Sequence, residues 1–406
     1  MKIALCHYSC PSNVGGIENL LEKQSIALRR NNHLVKVIAG SGNKFSRDID
    51  VDINPMLSAG ILGRYEDVQA NDVKRIMEPQ ILSIMDFLEY SLSSFDILIV
   101  HNVLTMPYNI PLTHAITRIA RKGGIRVLSW NHDSPFFHEP HQDACPASWE
   151  ILRQASPGIR YVCATDALKE GFEKLYGPGT DITVIPCGIF VSDFISLQNE
   201  TYLLIDENHL YDRDLLLLHP ARYHQDKNIE FSIRVVEALV HEGVNPVLML
   251  TAVIDPHDPV SVEYHDRMKR LVSEKNLSSH VLFISDFFYR HLSSPAIPRA
   301  VLKDLYQISD MLIMPNLREG YGTPLLEAAV SRLPIAYSDI PAFRRFLGDD
   351  GCMFCLEKGP ADAAEKIHRH ASTCTGSMFR KVLRDYNGET LCRTRMLPLL
   401  HEIMKA

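Results

Sequence analysis

Two glutamates eight residues apart bracket a glycine turn in Arg318-Glu319-Gly320-Tyr321-Gly322-Thr323-Pro324-Leu325-Leu326-Glu327. Glycines at 320 and 322 let backbone approach a ligand closely, and the amides that open a helix attract an anion. Pro324 fits a first helical turn, where its missing N–H costs nothing. Glu319 sits in the loop within reach of a bound group, and Glu327 lies about one turn into the helix, able to lean back toward it. The competing reading makes Thr323 a helix N-cap and Glu327 an acid favoured by the helix dipole. A second cluster, His219-Pro-Ala-Arg222-Tyr-His-Gln-Asp-Lys227-Asn228, offers two cations between a strand end and a helix start. They suit a diphosphate, Arg222 as a planar fork and Lys227 as a compact point charge. As isolated residues they read as a solvated loop; what favours chemistry is that both clusters follow strand ends.

The first half has two weaker candidates. Asn13-Val14-Gly15-Gly16-Ile17-Glu18 joins a strand to a helix but departs from the GxGxxG dinucleotide fingerprint, and no GxxxxGK[ST] phosphate loop occurs. It reads as a Gly-Gly turn that also lets a substrate press on backbone. Asn131-His132-Asp133 again follows a strand; His132 is either a core-edge histidine or, paired with Asp133, a group serving a reacting sugar or hydroxyl. His132, His138 and His141 with Asp133, Glu139 and Asp143 match neither HExxH nor a Cys/His finger, so no metal site is expected.

These candidates need a frame that presents strand ends. Short apolar runs alternate with amphipathic stretches, as in repeated βα units around a parallel sheet. Strands are predicted at Lys2–Cys6, Leu34–Ala39, Ile97–Val100, Arg126–Trp130, Arg160–Cys163 and Ile182–Pro186. Leu215–His219, Val247–Thr251, His280–Ser285, Met311–Met314 and Pro334–Tyr337 follow in the second half. Helices are predicted between Ile17 and Leu28, at Asp72–Leu92, Ile229–Glu242, Val260–Lys275, Arg299–Ile308 and Thr323–Arg332. The stretch Gly188–Asp206 fits neither period and marks a junction. Ser377–Ala406 is helical in pattern. The expected architecture is α/β: two doubly wound, Rossmann-like domains facing a central cleft, 1–195 and 196–376, with a helix over 377–406 packing back toward the first. Ligands bind at the carboxyl ends of strands in such sheets.

The 406 residues are too many for one ordinary core. With 46% hydrophobic and 22% charged residues, the chain is neither disordered nor fibrous. The net charge of −7 is shared: residues 1–195 carry 18 Lys+Arg against 21 Asp+Glu, and the rest 24 against 28. Neither half has the basic footprint of a nucleic-acid binder. Nine scattered cysteines argue against a secreted disulfide framework, and Cys352-Met-Phe-Cys355 reads as part of a short apolar strand. No signal peptide or run near the ~20 residues of a membrane span is visible, so a cytoplasmic protein without an integral membrane segment is expected.

Taken together, Glu319-x7-Glu327, Arg222 with Lys227, Gly15-Gly16 with Glu18, and His132-Asp133 resemble a retaining glycosyltransferase of family 4, with the GT-B fold, over essentially the whole chain. Asp310, Glu327-Ala-Ala and Ser338-Asp339-Ile340-Pro341 agree with the family, and Leu250–Tyr264 is similar to sucrose-phosphate synthase-related members. Two departures stand out. Arg332-Leu333-Pro334 replaces the usual Gly-x-Pro, and Phe343-Arg344-Arg345-Phe346 replaces the stretch with a glutamate after Pro-Ala.

The resemblance implies a role for each residue. Arg222 and Lys227 would hold the donor diphosphate and stabilise the departing charge, and Glu319 would contact the donor sugar. Gly320, Tyr321, Gly322 and Thr323 would line the donor, and Glu327 would take the ribose hydroxyls. Asp286 and Phe287 are candidates for the base pocket. His132 would lie by the donor sugar, with Gly15, Gly16 and Asp133 on the acceptor side. No cofactor or metal is required. The donor is a nucleotide diphosphate sugar, UDP-glucose ahead of GDP-mannose, and the acceptor a hydroxyl of a saccharide or small polar molecule, as in polysaccharide biosynthesis. The alternatives are a sugar phosphorylase or nucleotide-sugar epimerase on a similar frame, or a non-catalytic sugar-nucleotide-binding module.

Overall fold

The computed structural model describes every residue except 13–14, 61–69, 139–145, 253–258, 294–295, 320–321, 349, 374–375 and 406. The chain divides into two compact units: unit 1 is Met1–Phe190 with Asp385–Ala406, and unit 2 is Val191–Arg384.

Unit 1 holds strands β1 (Lys2–Ser9), β2 (Leu34–Ser41), β3 (Asp50–Ile53), β4 (Ile97–His101), β5 (Arg126–Asn131), β6 (Ile159–Cys163) and β7 (Ile182–Val184). They form a parallel sheet in the order β3-β2-β1-β4-β5-β6-β7. Unit 2 holds β8 (Leu215–His219), β9 (Pro246–Leu250), β10 (Val281–Phe283), β11 (Met311–Met314), β12 (Ile335–Ser338) and β13 (Cys352–Phe354), parallel in the order β10-β9-β8-β11-β12-β13. Both sheets are buried on two faces, which is why their central strands are unbroken apolar runs. In β8, Leu215 and Leu217 enter one core and Leu216 and Leu218 the other. In β1, Ala4 and Cys6 face one side while Ile3 and Leu5 face the opposite one.

Each strand order reverses once, at β1/β4 and at β8/β11. Helices that follow strands on either side of a reversal leave to opposite faces, which opens a crevice at the carboxyl ends of the two central strands. That topology picks out the loops after β1, β4, β8 and β11.

Several details differ from the sequence reading. Asp50-Val-Asp-Ile forms β3 although two aspartates hide its strand character. The stretch 280–285 is a strand only over Val281–Phe283, because helix Ile284–Leu292 begins at once. Gly188–Asp206, read as irregular, contains the start of helix Asn199–Asn208. The units part at 190/191 rather than 195/196. Their second division, at 384/385 rather than 376/377, also has a physical cause. Arg380 of helix Gly376–Asp385 is buried against the Asp310 carboxylate and the Asp214 carbonyl, which holds that helix to unit 2. The chain then returns to unit 1. The Ile189 amide donates to the Tyr386 carbonyl and the Gly388 amide to the Ile189 carbonyl, each at 2.8 Å. Leu397, Leu399, Leu400 and Ile403 complete a face of the unit 1 core. Arg332 occupies the left-handed region at φ 57°, the conformation for which the family's usual glycine is suited.

Candidate active site

In unit 2 the β8 and β11 loops meet. Lys227 Nζ lies 2.5 Å from Glu319 Oε2, and Asn316 Nδ2 donates to the same oxygen at 2.8 Å. Both charged side chains are mostly shielded, Lys227 22% and Glu319 14% exposed. The loops are tied through backbone as well: the Leu317 amide donates to the Asp226 carbonyl at 2.8 Å, and Asn228 Nδ2 to the Pro315 carbonyl at 3.1 Å. Asn228, at φ 49°, makes the left-handed turn that starts helix Ile229–His241. Beneath them Ser338 Oγ donates to the Asn316 carbonyl at 2.6 Å. His219 is buried, with Nδ1 3.0 Å from Ser232 Oγ; burial first, then the charge of Lys227, pushes its pKa down to about 3. It is therefore a neutral group under the lysine. Arg222 is exposed and has no ion pair or hydrogen bond among the described residues, so its guanidinium is available to a ligand.

Gly322, at φ 78°, is the N-cap of helix Thr323–Val330, which overturns the reading of Thr323 as the cap. Thr323 is the first helical residue and is exposed. Gly320 and Tyr321 lie outside the described residues. Glu327 has a partner of its own: its Oε2 accepts from the Tyr306 hydroxyl at 2.7 Å, and it lines a 330 Å³ pocket with Arg299, Lys303 and Tyr306. Asp286 and Phe287 lie elsewhere. Asp286, in the first turn of helix Ile284–Leu292, pairs with Lys269 at 2.6 Å and lines a different cavity of 500 Å³. Phe287 is a core side chain, 4% exposed. Neither borders the Glu327 pocket, because the early helix start turns them to the sheet edge beside β10.

In unit 1 the register that sets Cys6 against Val100 places His7 beside His101, and His7 Nδ1 lies 2.8 Å from the His101 carbonyl. His101 Nδ1 is 3.2 Å from His132 Nε2, and the two rings stack, with His101 stacked on Trp130 in turn. Cys187 Sγ, exposed at the end of the loop after β7, lies 3.7 Å from His132 Nδ1. Burial, reinforced by His7, pushes the His132 pKa down to about 4. His101 falls well below the ordinary imidazole value through burial and its two histidine neighbours. Burial also lowers His7, against the opposing pull of the His101 carbonyl and Glu18.

The expected His132–Asp133 pair is not formed. Asp133 accepts from the Ser134 amide at 2.8 Å and contacts His138 Nε2, just beyond the short helix Pro135–Phe137, at 2.9 Å. The backbone of both residues is held by Asn102, whose Oδ1 accepts from the His132 and Asp133 amides at 3.0 and 3.1 Å. The Glu18 carboxylate packs over Gly15, where a Cβ would stand 2.1 Å from Oε2, and Ser9 Oγ donates to it. Gly16 opens helix Gly16–Arg30 with free space around its Cα. Among the described residues no three His, Cys, Asp or Glu side chains are grouped to hold a metal ion; Glu139, His141 and Asp143 lie outside them.

The sequence reading did not single out His101, Asn102, Tyr306 or Asn316 as functional. Three of the four stand at or just after a strand's carboxyl end, a signal that strand assignment alone carries.

Two family models match these two halves: Glycosyltransferase Family 4 over residues 14–192 and Glycosyl transferases group 1 over residues 203–373. The chain belongs to the family 4 glycosyltransferases, an enzyme of the GT-B class. It is similar to the mannosylglucosylglycerate synthase of Petrotoga mobilis, 24% identical over 380 residues that span 85% of this chain and 84% of the relative. The enzyme of the same name from Thermotoga maritima is 21% identical over 85% of this chain and 82% of its own. Among solved structures, sucrose-phosphate synthase from Thermosynechococcus elongatus aligns over 100% of this chain and 99% of that one at 15% identity, with a TM-score of 0.42. Among the described residues no helix is long and apolar enough to cross a membrane.

Proposed function

We propose that the chain transfers a hexosyl group, mannosyl ahead of glucosyl, from a nucleoside diphosphate sugar to a saccharide hydroxyl with retention of configuration. The observation that carries the donor site is the convergence of Lys227 and Asn316 on Glu319 Oε2, with exposed Arg222 on the same loop as Lys227. Two cations at a sheet reversal suit a diphosphate, and they stabilise the leaving group where its charge grows, which a metal ion does in other transferases. Glu319, held at one oxygen, serves the donor sugar; Glu327, in its own pocket, serves the ribose. In unit 1, His132 is a neutral imidazole that can accept or donate a hydrogen bond but carries no charge near neutral pH. It serves the reacting sugar, while Gly15 and Gly16 border the acceptor. Mannose moves ahead of glucose because two relatives matched over most of their length are mannosylglucosylglycerate synthases.

The test is a thermal-shift screen with GDP-mannose, UDP-glucose, GDP and UDP, followed by product analysis. At a hundredfold excess over Kd a ligand stabilises its site by about 2.7 kcal/mol. Stabilisation by none of them would overturn the nucleotide-sugar reading, and phosphate release with no nucleotide bound would favour a phosphorylase. Binding without turnover on any saccharide acceptor would favour the non-catalytic module. The anomeric signal of the product in NMR decides retention, and full turnover in excess chelator is expected.

A further inference from the structure

The Glu327 pocket contains a donor whose position is set by the core. Tyr306 belongs to helix Arg299–Ile308, which precedes β11, and Glu327 to the helix that follows it. The Tyr306 ring is 3% exposed and packs in the core beneath the sheet, so its orientation is fixed before any ligand arrives. Its hydroxyl donates to Glu327 Oε2 at 2.7 Å. Glu327 itself is only half-buried, on a long side chain with several rotamers to choose from. Leu302 and Leu326 add apolar wall to the pocket, and Arg299 and Lys303, one helical turn apart, border it without an ion-pair partner among the described residues.

We infer that Tyr306 is a positioning residue: its core-anchored hydroxyl holds the Glu327 carboxylate in the rotamer that receives the ribose hydroxyls of the donor. The inference rests on the reading of Glu327 as the ribose ligand. A phenol donating to a carboxylate is a charge-assisted pair, and it leaves the other carboxylate oxygen for a ligand of the pocket that Glu327 lines. Burial, then the bond to Glu327, raises the Tyr306 pKa far above its ordinary value, so the hydroxyl stays a donor throughout the usable pH range. Neither cation replaces it, since both are on the exposed side of their helix and lack the rigid ring.

The experiment measures Kd by calorimetry for GDP and UDP and for their 2′-deoxy forms, with the wild-type chain, Tyr306→Phe, Glu327→Ala and the double variant. The wild type is expected to prefer the ribo form of its nucleotide by about tenfold, the factor one charge-assisted hydrogen bond carries. Tyr306→Phe should cut that preference to about threefold or less with the deoxy Kd unchanged, and should add nothing in the Glu327→Ala background. Equal weakening of both nucleotide forms, or full additivity in the double variant, would show a role in packing alone and overturn the inference. A wild type that does not distinguish ribo from deoxy overturns the ribose reading of Glu327, and the inference with it. A circular-dichroism melt of each variant separates unfolding from these outcomes.

Discussion

The two units share a topology and differ in charge at the same place. At the β8/β11 reversal of unit 2 stand an ion pair and the Arg222 guanidinium, which has no partner among the described residues; at the β1/β4 reversal of unit 1 stand three stacked or bonded histidines, all pushed toward neutrality by burial. Parallel strands with one reversal decide where a ligand can sit, and the loops decide what it meets. Unit 2 meets it with fixed charge, suited to an anion that must leave. Unit 1 meets it with uncharged hydrogen-bonding rings, suited to a sugar hydroxyl.

The charged side of this contrast is tested at its ion pair. Glu319→Gln and Lys227→Ala should each lower kcat about 10²–10³-fold, the loss typical of a preorganised electrostatic group. Asp133→Asn in unit 1 should change kcat less than about threefold, since the Asp133 carboxylate is bonded to His138 and the Ser134 amide. Initial rates of nucleotide release measure all three; equal losses would remove the asymmetry.

Next is a structural charge at the other end of β8 and β11. Arg380→Met should destabilise unit 2 by about 3–5 kcal/mol in urea titration, because the Asp310 carboxylate is left buried and unpaired. Burial already raises the Asp310 pKa against the opposing pull of Arg380. Adding Asp310→Asn should recover part of the loss.

The neutral side is sharpened by pH. The His132 pKa lies near 4 when folded and at 6.5 in its ordinary state, so the unfolded chain binds the extra proton between those values. Stability from this group is therefore complete above pH 6.5 and falls as pH drops toward 4, by about 1.4 kcal/mol per pH unit. His101 and His7 shift in the same direction and steepen the slope. His132→Gln should flatten it in denaturation curves taken between pH 4 and 7; an unchanged slope would mean the histidines carry no such linkage.

The smallest effect lies outside both clusters. Arg332→Gly should stabilise the chain by up to about 1 kcal/mol, since a non-glycine residue at φ 57° costs about 1–2 kcal/mol and glycine's extra unfolded-state entropy returns part of that. A modest rise in Tm checks it.

Much of the architecture was legible along the chain. β8 and β11 match their sequence-read bounds residue for residue, as does helix Arg299–Ile308, because unbroken apolar runs and a 3.6-residue stripe are local signals. Glu319, Lys227, Arg222 and His132 could be nominated because each follows a strand end. Partners were not legible. Asp133 adjoins His132 in sequence yet bonds His138, while His101, distant in sequence, contacts its ring. Asp286 and Phe287 line a different pocket from Glu327, beside a helix that begins at Ile284 where a longer strand was expected.

The repeated βα rhythm, its apolar strands and the polar residues that follow their ends can be read along the chain, since they depend on sequence neighbours. The reversal of both sheets at their first strand, the meeting of Lys227 and Asn316 on one oxygen of Glu319 and the bond from Tyr306 to Glu327 arise from folding. Burial within that structure also pushes His7, His101 and His132 toward neutrality. Those outcomes depend on register and burial, which bring together groups that no local pattern relates.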